Sequence, residues 1–194
     1  VLGGGSAEII TSGRGISTSI LDVMDRAYVH WPVLVTTADH PLLTRDMVEA
    51  FLAEATGDVA VAMVERQRLE AAYPANKRTW LRFADGDWSG CNLFALTSGS
   101  ARPALLLWAE AEQDRKKAWK LFLHFGPLLA LRAITRTIGL AAALEKAGKR
   151  LGLTARLVPM RFAEAAIDVD KPSDHALAEQ ILKRRSDEAQ TTAG

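Results

Sequence analysis

"PVLVTTADHPLLT", from Pro32 to Thr44, joins a strand signature to an acid and a bend. Val33–Ala38 is an almost unbroken apolar and β-branched run, the composition of a strand covered on both faces. Asp39 follows at once, and His40-Pro41 bend the chain away. A carboxylate at the mouth of a sheet is costly unless something pairs with it. Ligands of open α/β sheets gather beyond the carboxyl ends of the strands, which is where Asp39 falls. Two readings stand at this point: Asp39 holds a ligand, or it only shapes the turn.

Working outward, Thr44 is placed to cap a helix over "RDMVEAFLAEA", with Asp46 at the positive end of its dipole. "DVAVAMVE" (Asp58–Glu65) reads as the next strand. Upstream, "SAEII" (Ser6–Ile10) reads as a short strand and "TSGRGISTS" (Thr11–Ser19) as a glycine-punctuated loop. "ILDVMDRAYV" from Ile20 has helical spacing, with Ile20, Val23, Met24 and Ala27 on one face. The order β-loop-α-β-α-β points to an α/β domain with a mainly parallel sheet.

Downstream, Thr79–Phe83 and Asn92–Leu96 read as strands paired around the turn "DGD". Arg102–Gly152 is a long helical region, broken at Gly126-Pro127 and at Gly139. "TARLVPMRF" returns to strand, "AAIDVDKPSD" is a loop, "SDHALAEQILKRR" is a closing helix, and residues 186–194 form a polar tail expected to fray. Residues 1–185 are therefore read as one domain with a helical insert at about 102–152.

Composition narrows the classes. The chain has 194 residues, is 48% hydrophobic and 24% charged, and has ample apolar content for a core. A net charge of +1 supplies no global field for nucleic acid or an anionic membrane, so neither is expected as a partner. No run approaches the roughly 18–20 apolar residues that span a bilayer, and "VLGGGSAEII" lacks the features of a signal peptide. One cysteine, Cys91, excludes an internal disulfide and a multi-cysteine zinc site; a cytoplasmic setting is the expectation.

Four clusters could carry chemistry. Asp39 is the first. In "AIDVDKPSD", Asp168 and Asp170 share one side of an extended segment, which suits a hard divalent cation that leaves room for phosphate oxygens. Solvated loop acids are the bland alternative there, and Asp174 reads as a helix cap. "SGRGISTSI" offers backbone N–H groups, hydroxyls and a helix N-terminus suited to ribose, base or phosphate, though a plain loop has the same composition. In "WSGCNLFAL", Gly90 permits close ligand approach and Asn92 offers a donor and an acceptor; Cys91 reads as a small buried residue. Arg115, Lys116, Lys117 and Lys120 read as a solvated helix face, and no histidine spacing suits zinc.

"PVLVTTADHPLLTRDMVEAFL", "WSGCNLFAL" and "AAIDVDKPSDHAL", in that order, resemble the MobA-like NTP transferase family over roughly Ser6 to Leu182. The resemblance implies a three-layer α/β/α, GT-A-like, Rossmann-like fold and a Mg²⁺-dependent nucleotidyltransferase. By the same resemblance, Asp39 and Asp170 would be the catalytic metal carboxylates, with Asp168 as their support. Gly13, Arg14, Ser17 and Ser19 would meet the nucleotide together with Asp39, and His40, Gly90 and Asn92 would line the acceptor side. The partners implied are a nucleoside triphosphate and a small-molecule acceptor, with the helical insert either covering that acceptor or forming a homodimer contact.

The family opens on a strand and a glycine-rich loop of the form LAGGxGxRM, with a lysine further on, that cradles the triphosphate. "VLGGG" has no Arg or Lys behind its glycines. The expectation is an N-terminally truncated domain, short of about 60 residues by ordinary βαβ dimensions. Two alternatives follow: a GT-A-type glycosyltransferase using "DVD" as its metal motif, or a non-catalytic nucleotide- or partner-binding domain.

Overall fold

A computed structural model describes residues 9–26, 29–74, 76, 78–113 and 125–192. The elements run α1 (Ile16–Met24), β1 (Val33–Thr36), α2 (Arg45–Glu54), β2 (Val59–Glu65), α3 (Arg66–Ala72), β3 (Leu81–Phe83), β4 (Gly86–Leu96) and α4 (Arg102–Gln113). They continue with α5 (Pro127–Ile134), α6 (Leu140–Arg150), β5 (Ala155–Pro159) and α7 (Pro172–Thr192), with 3₁₀ turns at Gly99–Ala101 and Ala163–Ala166.

The sheet is open and mixed, in the order β1-β4-β2-β5, with β3 hairpinned onto β4. β2 and β5 are parallel, and β4 runs antiparallel to both β1 and β2. β1, β2 and β5 therefore share one direction, and β4 is the reversed strand among them. β4 wedges between two strands that follow each other in sequence, because its 11 residues can hydrogen-bond along both edges.

Strand alternation builds the layers. Ala60, Ala62 and Val64 of β2 face one side, where Phe51 and Met47 of α2, Leu69 of α3 and Ile181 of α7 form the main core. Val59, Val61 and Met63 face the other side, where α1, α4 and α6 pack. Helices on both faces of one sheet make the three-layer α/β/α arrangement that the resemblance implies.

Several local expectations meet a difference. Thr44 does cap α2, its hydroxyl accepting from Met47 N–H at 3.3 Å. α1 begins at Ile16 rather than Ile20, and Ile9 and Ile10 are not strand; Ser6–Glu8 and Ala27 lie outside the described residues. β1 stops at Thr36, two residues short of Ala38. The hairpin pairs Leu81 with Trp88 and Phe83 with Gly86, so Asn92–Leu96 is the far half of β4, bonded to β1 and β2 instead of β3. Helix α3 has no counterpart in the sequence reading; seven residues are too few for a clear period. Residues 186–192, read as a frayed tail, continue α7. The basic stretch at Arg115–Lys120 lies outside the described residues.

Helix α6 is tied to the sheet by one turn acid. Both carboxylate oxygens of Asp85 accept from the Leu140 N–H, at 2.9 and 3.0 Å, capping α6 from the β3–β4 turn. An acid at a helix N-terminus also complements its dipole.

Candidate functional site

Two loops leave the carboxyl ends of β1 and β5 and meet. The Val169 N–H donates to the Asp39 carbonyl at 2.9 Å. That single main-chain bond brings Asp39 beside the Asp168–Asp170 segment, from positions about 130 residues apart in the chain. Ala163–Ala166 turns the chain after β5, and the buried Ile167 anchors the segment in the core immediately before Asp168.

The three acids then diverge in role. Asp168 is largely buried, and Arg78 donates from Nη1 to its Oδ1 while Asn92 Nδ2 donates to its Oδ2 at 3.0 Å. Burial raises its pKa, but the Arg78 hydrogen bond and charge, aided by Asn92, outweigh that and hold the carboxyl below its usual range. Asp39 is half-buried and its Oδ1 accepts from the Thr37 hydroxyl. Asp170 is exposed, and its carboxylate has no hydrogen bond or ion pair among the described residues. Asp174 does cap α7: its Oδ2 accepts from Lys171 N–H at 3.1 Å and Asp170 N–H at 3.3 Å.

Asn92 reaches Asp168 because β4 is irregular there. Val61 pairs with Phe94 and Met63 with Gly90, so β4 spends two more residues than β2 over the same span. Asn92 takes up the excess with φ 49°, in the left-handed region. Such irregularities re-aim side chains beside functional sites. Gly90, Ser89, Asn92, Arg78, Asp168 and Asp170 line a polar pocket of about 280 Å³ on this side.

Three residues of the sequence-based site are buried or engaged within the protein. His40 is 6% exposed, with both ring nitrogens buried. Its pKa is lowered by burial, against the opposing pull of the Glu164 main chain and the carboxylates of Asp168 and Asp39. Asp168, expected among the metal carboxylates, has both oxygens engaged by protein donors. Ser17 is fully buried, and its hydroxyl donates to Glu112 Oε2 at 2.6 Å.

The rest of the "SGRGISTSI" loop behaves similarly. Glu112 also accepts from the Ser17 N–H at 3.3 Å, so a carboxylate of the chain itself sits at the N-terminus of α1. Gly15 leaves room for it, since a Cβ there would collide with the Glu112 carboxylate. Gly13 N–H donates to Ser19 Oγ at 2.9 Å, and Gly15 N–H to Thr18 Oγ1 at 3.0 Å. Gly13, Arg14 and Ser19 nevertheless line an open groove of about 700 Å³ along Val33–Thr36 of β1. Arg14 is exposed on it.

Arg78 is the residue that sequence reasoning missed. It lies in an irregular segment with no motif around it, and only its burial beside Asp168 marks it. Cys91 is buried, and burial pushes its thiol well above the usual range, as befits an inert packing residue.

The loops carrying Asp39 and Asp170 meet beyond the carboxyl ends of the strands of an open α/β sheet, the place where ligands of such sheets gather. The chain belongs to the MobA-like NTP transferase domain family, which matches residues 7–150 and places it among transferases. A solved structure from Thermus thermophilus, described as a hypothetical transferase, is similar at 29% identity and a TM-score of 0.72. The likeness covers 82% of this chain and 69% of that one. No curated protein matches the chain. No helix among the described residues is long and apolar enough to cross a membrane.

Proposed function

We propose that the protein transfers a nucleoside monophosphate from an NTP to a small-molecule acceptor, with Mg²⁺ held between Asp39 and Asp170. The observation that carries this reading is the Val169 N–H to Asp39 carbonyl bond, which joins the two acidic loops.

The residues fit Mg²⁺ on their own chemistry. That ion keeps several waters and is bound by one or two carboxylates plus substrate phosphates, not by a protein cage. Among the described residues no three acidic, histidine or cysteine side chains converge as a cage. Two are left with carboxylate oxygens available, Asp39 and Asp170, as described above. Bound there, Mg²⁺ would neutralise phosphate charge and polarise the phosphorus being attacked.

The chain's own residues do the rest by positioning. The groove along β1 takes the nucleotide, and the pocket beside Gly90 and Ser89 receives the acceptor. An acceptor oxygen forms a bond to the α-phosphorus as the bond to pyrophosphate breaks, in line with it. Arg78 and Asn92 hold Asp168, whose segment carries Asp170; they are positioning residues.

The ion pair with Arg78 already offsets the charge of Asp168, which counts against a glycosyltransferase reading of "DVD" as a metal motif. The test is calorimetric binding of each NTP with and without Mg²⁺, followed by pyrophosphate release with phosphorylated acceptors. Mg²⁺-dependent NTP binding is the expected result. Its absence for all four nucleotides would move the protein to the non-catalytic reading.

A further inference from the structure

Away from the acids, the hairpin of α5 and α6 encloses a pocket of about 350 Å³. One wall is apolar, from Phe125, Leu128 and Leu129; the other is cationic, from Arg132, Lys146, Lys149 and Arg150. We propose that this pocket binds an anionic amphiphile, a phosphate or carboxylate head on an apolar tail, at a site separate from the nucleotide.

Placement comes first. Gly148 packs its backbone against Ala155 N and Leu153 O, both 2.8 Å from where a Cβ would stand. The C-terminal half of α6 is thus fixed at the amino end of β5, whereas Asp39 and Asp170 lie beyond the carboxyl ends of β1 and β5. The two sites sit at opposite ends of the sheet.

Charge comes second. The chain as a whole carries 24 basic and 23 acidic residues, yet among the described residues four cations and no carboxylate line this pocket. The neighbouring acid Glu145 is bonded to Lys149 at 2.7 Å and offsets one of the four. Cations in the last turn of α6 do suit its dipole, but Lys146 lies a turn earlier and gains little from it. Arg132 is held by donating from Nη2 to the Thr137 carbonyl at 2.9 Å. Arg150 is seated over Gly126, whose φ is 92° and whose Cβ would stand 2.9 Å from the guanidinium. A glycine there satisfies both the backbone and the close approach of the cation.

The apolar side comes third. Leu128 is 70% exposed while lining the pocket, and Leu131 and Ile134 continue an exposed apolar strip along α5. The pocket therefore opens onto a path for an aliphatic or aryl chain, with the cations gathered behind it. Its volume lies in the range of small-molecule sites, and pairing an anion with several guanidinium and ammonium groups gives charge-assisted hydrogen bonds.

Decyl phosphate below its micelle concentration is the probe, with decanol, inorganic phosphate and phosphatidylglycerol vesicles as comparisons, all read by calorimetry or sedimentation on the whole chain. Decyl phosphate is expected to bind one equivalent at least tenfold tighter than decanol or inorganic phosphate. Lys146→Gln and Arg132→Gln should each weaken it at least fivefold, with Arg45→Gln as an unaffected control and Mg²⁺-NTP binding unchanged. Equal affinity for decanol, equal affinity for inorganic phosphate, binding to vesicles without binding to the monomer, or insensitivity to both variants would each overturn the proposal.

Discussion

The acidic loops and the glycine–serine loop both offer polar groups in the sequence, and the fold treats them in opposite ways. Asp39 and Asp170 come from distant segments, meet through one main-chain bond, and keep carboxylate oxygens free. Ser17, Thr18 and Ser19 are neighbours, and their hydroxyls are spent on Glu112 and on the loop's own backbone. The α1 N-terminus that could have met a phosphate already holds a carboxylate. Polar residues at suitable spacing make a ligand site only when the fold leaves them unpaired.

The sharpest way to break that contrast is to delete each free acid. Asp39→Ala and Asp170→Ala should each reduce pyrophosphate release at least a hundredfold, with circular dichroism and melting nearly unchanged. Loss of structure in Asp170→Ala, an exposed residue, would mean its role is architectural.

Asp168 should behave in the opposite sense. Asp168→Ala leaves Arg78 buried without its partner, a loss of about 3 kcal/mol by the usual cost of breaking a buried pair. Denaturant unfolding measures it, and a change below about 1 kcal/mol would show that Arg78 relaxes into solvent. Ser17→Ala should cost about 1–2 kcal/mol through the lost Glu112 bond, while NTP affinity stays within twofold. A large loss of NTP affinity in that variant would return the loop to the nucleotide site.

The smallest effect is a pH dependence under the Asp39 loop. Burial lowers the His40 pKa, so between the folded value and the unfolded value near ~6.5 the unfolded chain binds more protons. Stability is therefore full above about pH 6.5 and is lost as pH falls through the folded pKa. Melting temperatures followed from pH 7.5 to 5.5 should decline in the wild type and decline less in His40→Leu. Parallel profiles would show that His40 carries none of the dependence.

Much of this was legible because it is local. The β-branched run before Asp39, the Thr44 cap and the Asp174 cap each follow from a few adjacent residues. What was not legible is long-range. Nothing near β4 says that it will separate β1 from β2, since either edge of a strand can pair. The partners of Ser17 and Asp168 lie 95 and 90 residues away, at Glu112 and Arg78, so neither engagement could be read from spacing. The resemblance put His40 on the acceptor side, and nothing in its neighbours along the chain says that it will be buried.

The most direct measurement is a side-by-side calorimetric titration of Mg²⁺-NTP into the wild type, Asp39→Ala, Asp170→Ala and Ser17→Ala. Mg²⁺-dependent binding should be lost in the two aspartate variants and retained in Ser17→Ala. Binding that survives in both aspartate variants, or fails only in Ser17→Ala, would contradict this.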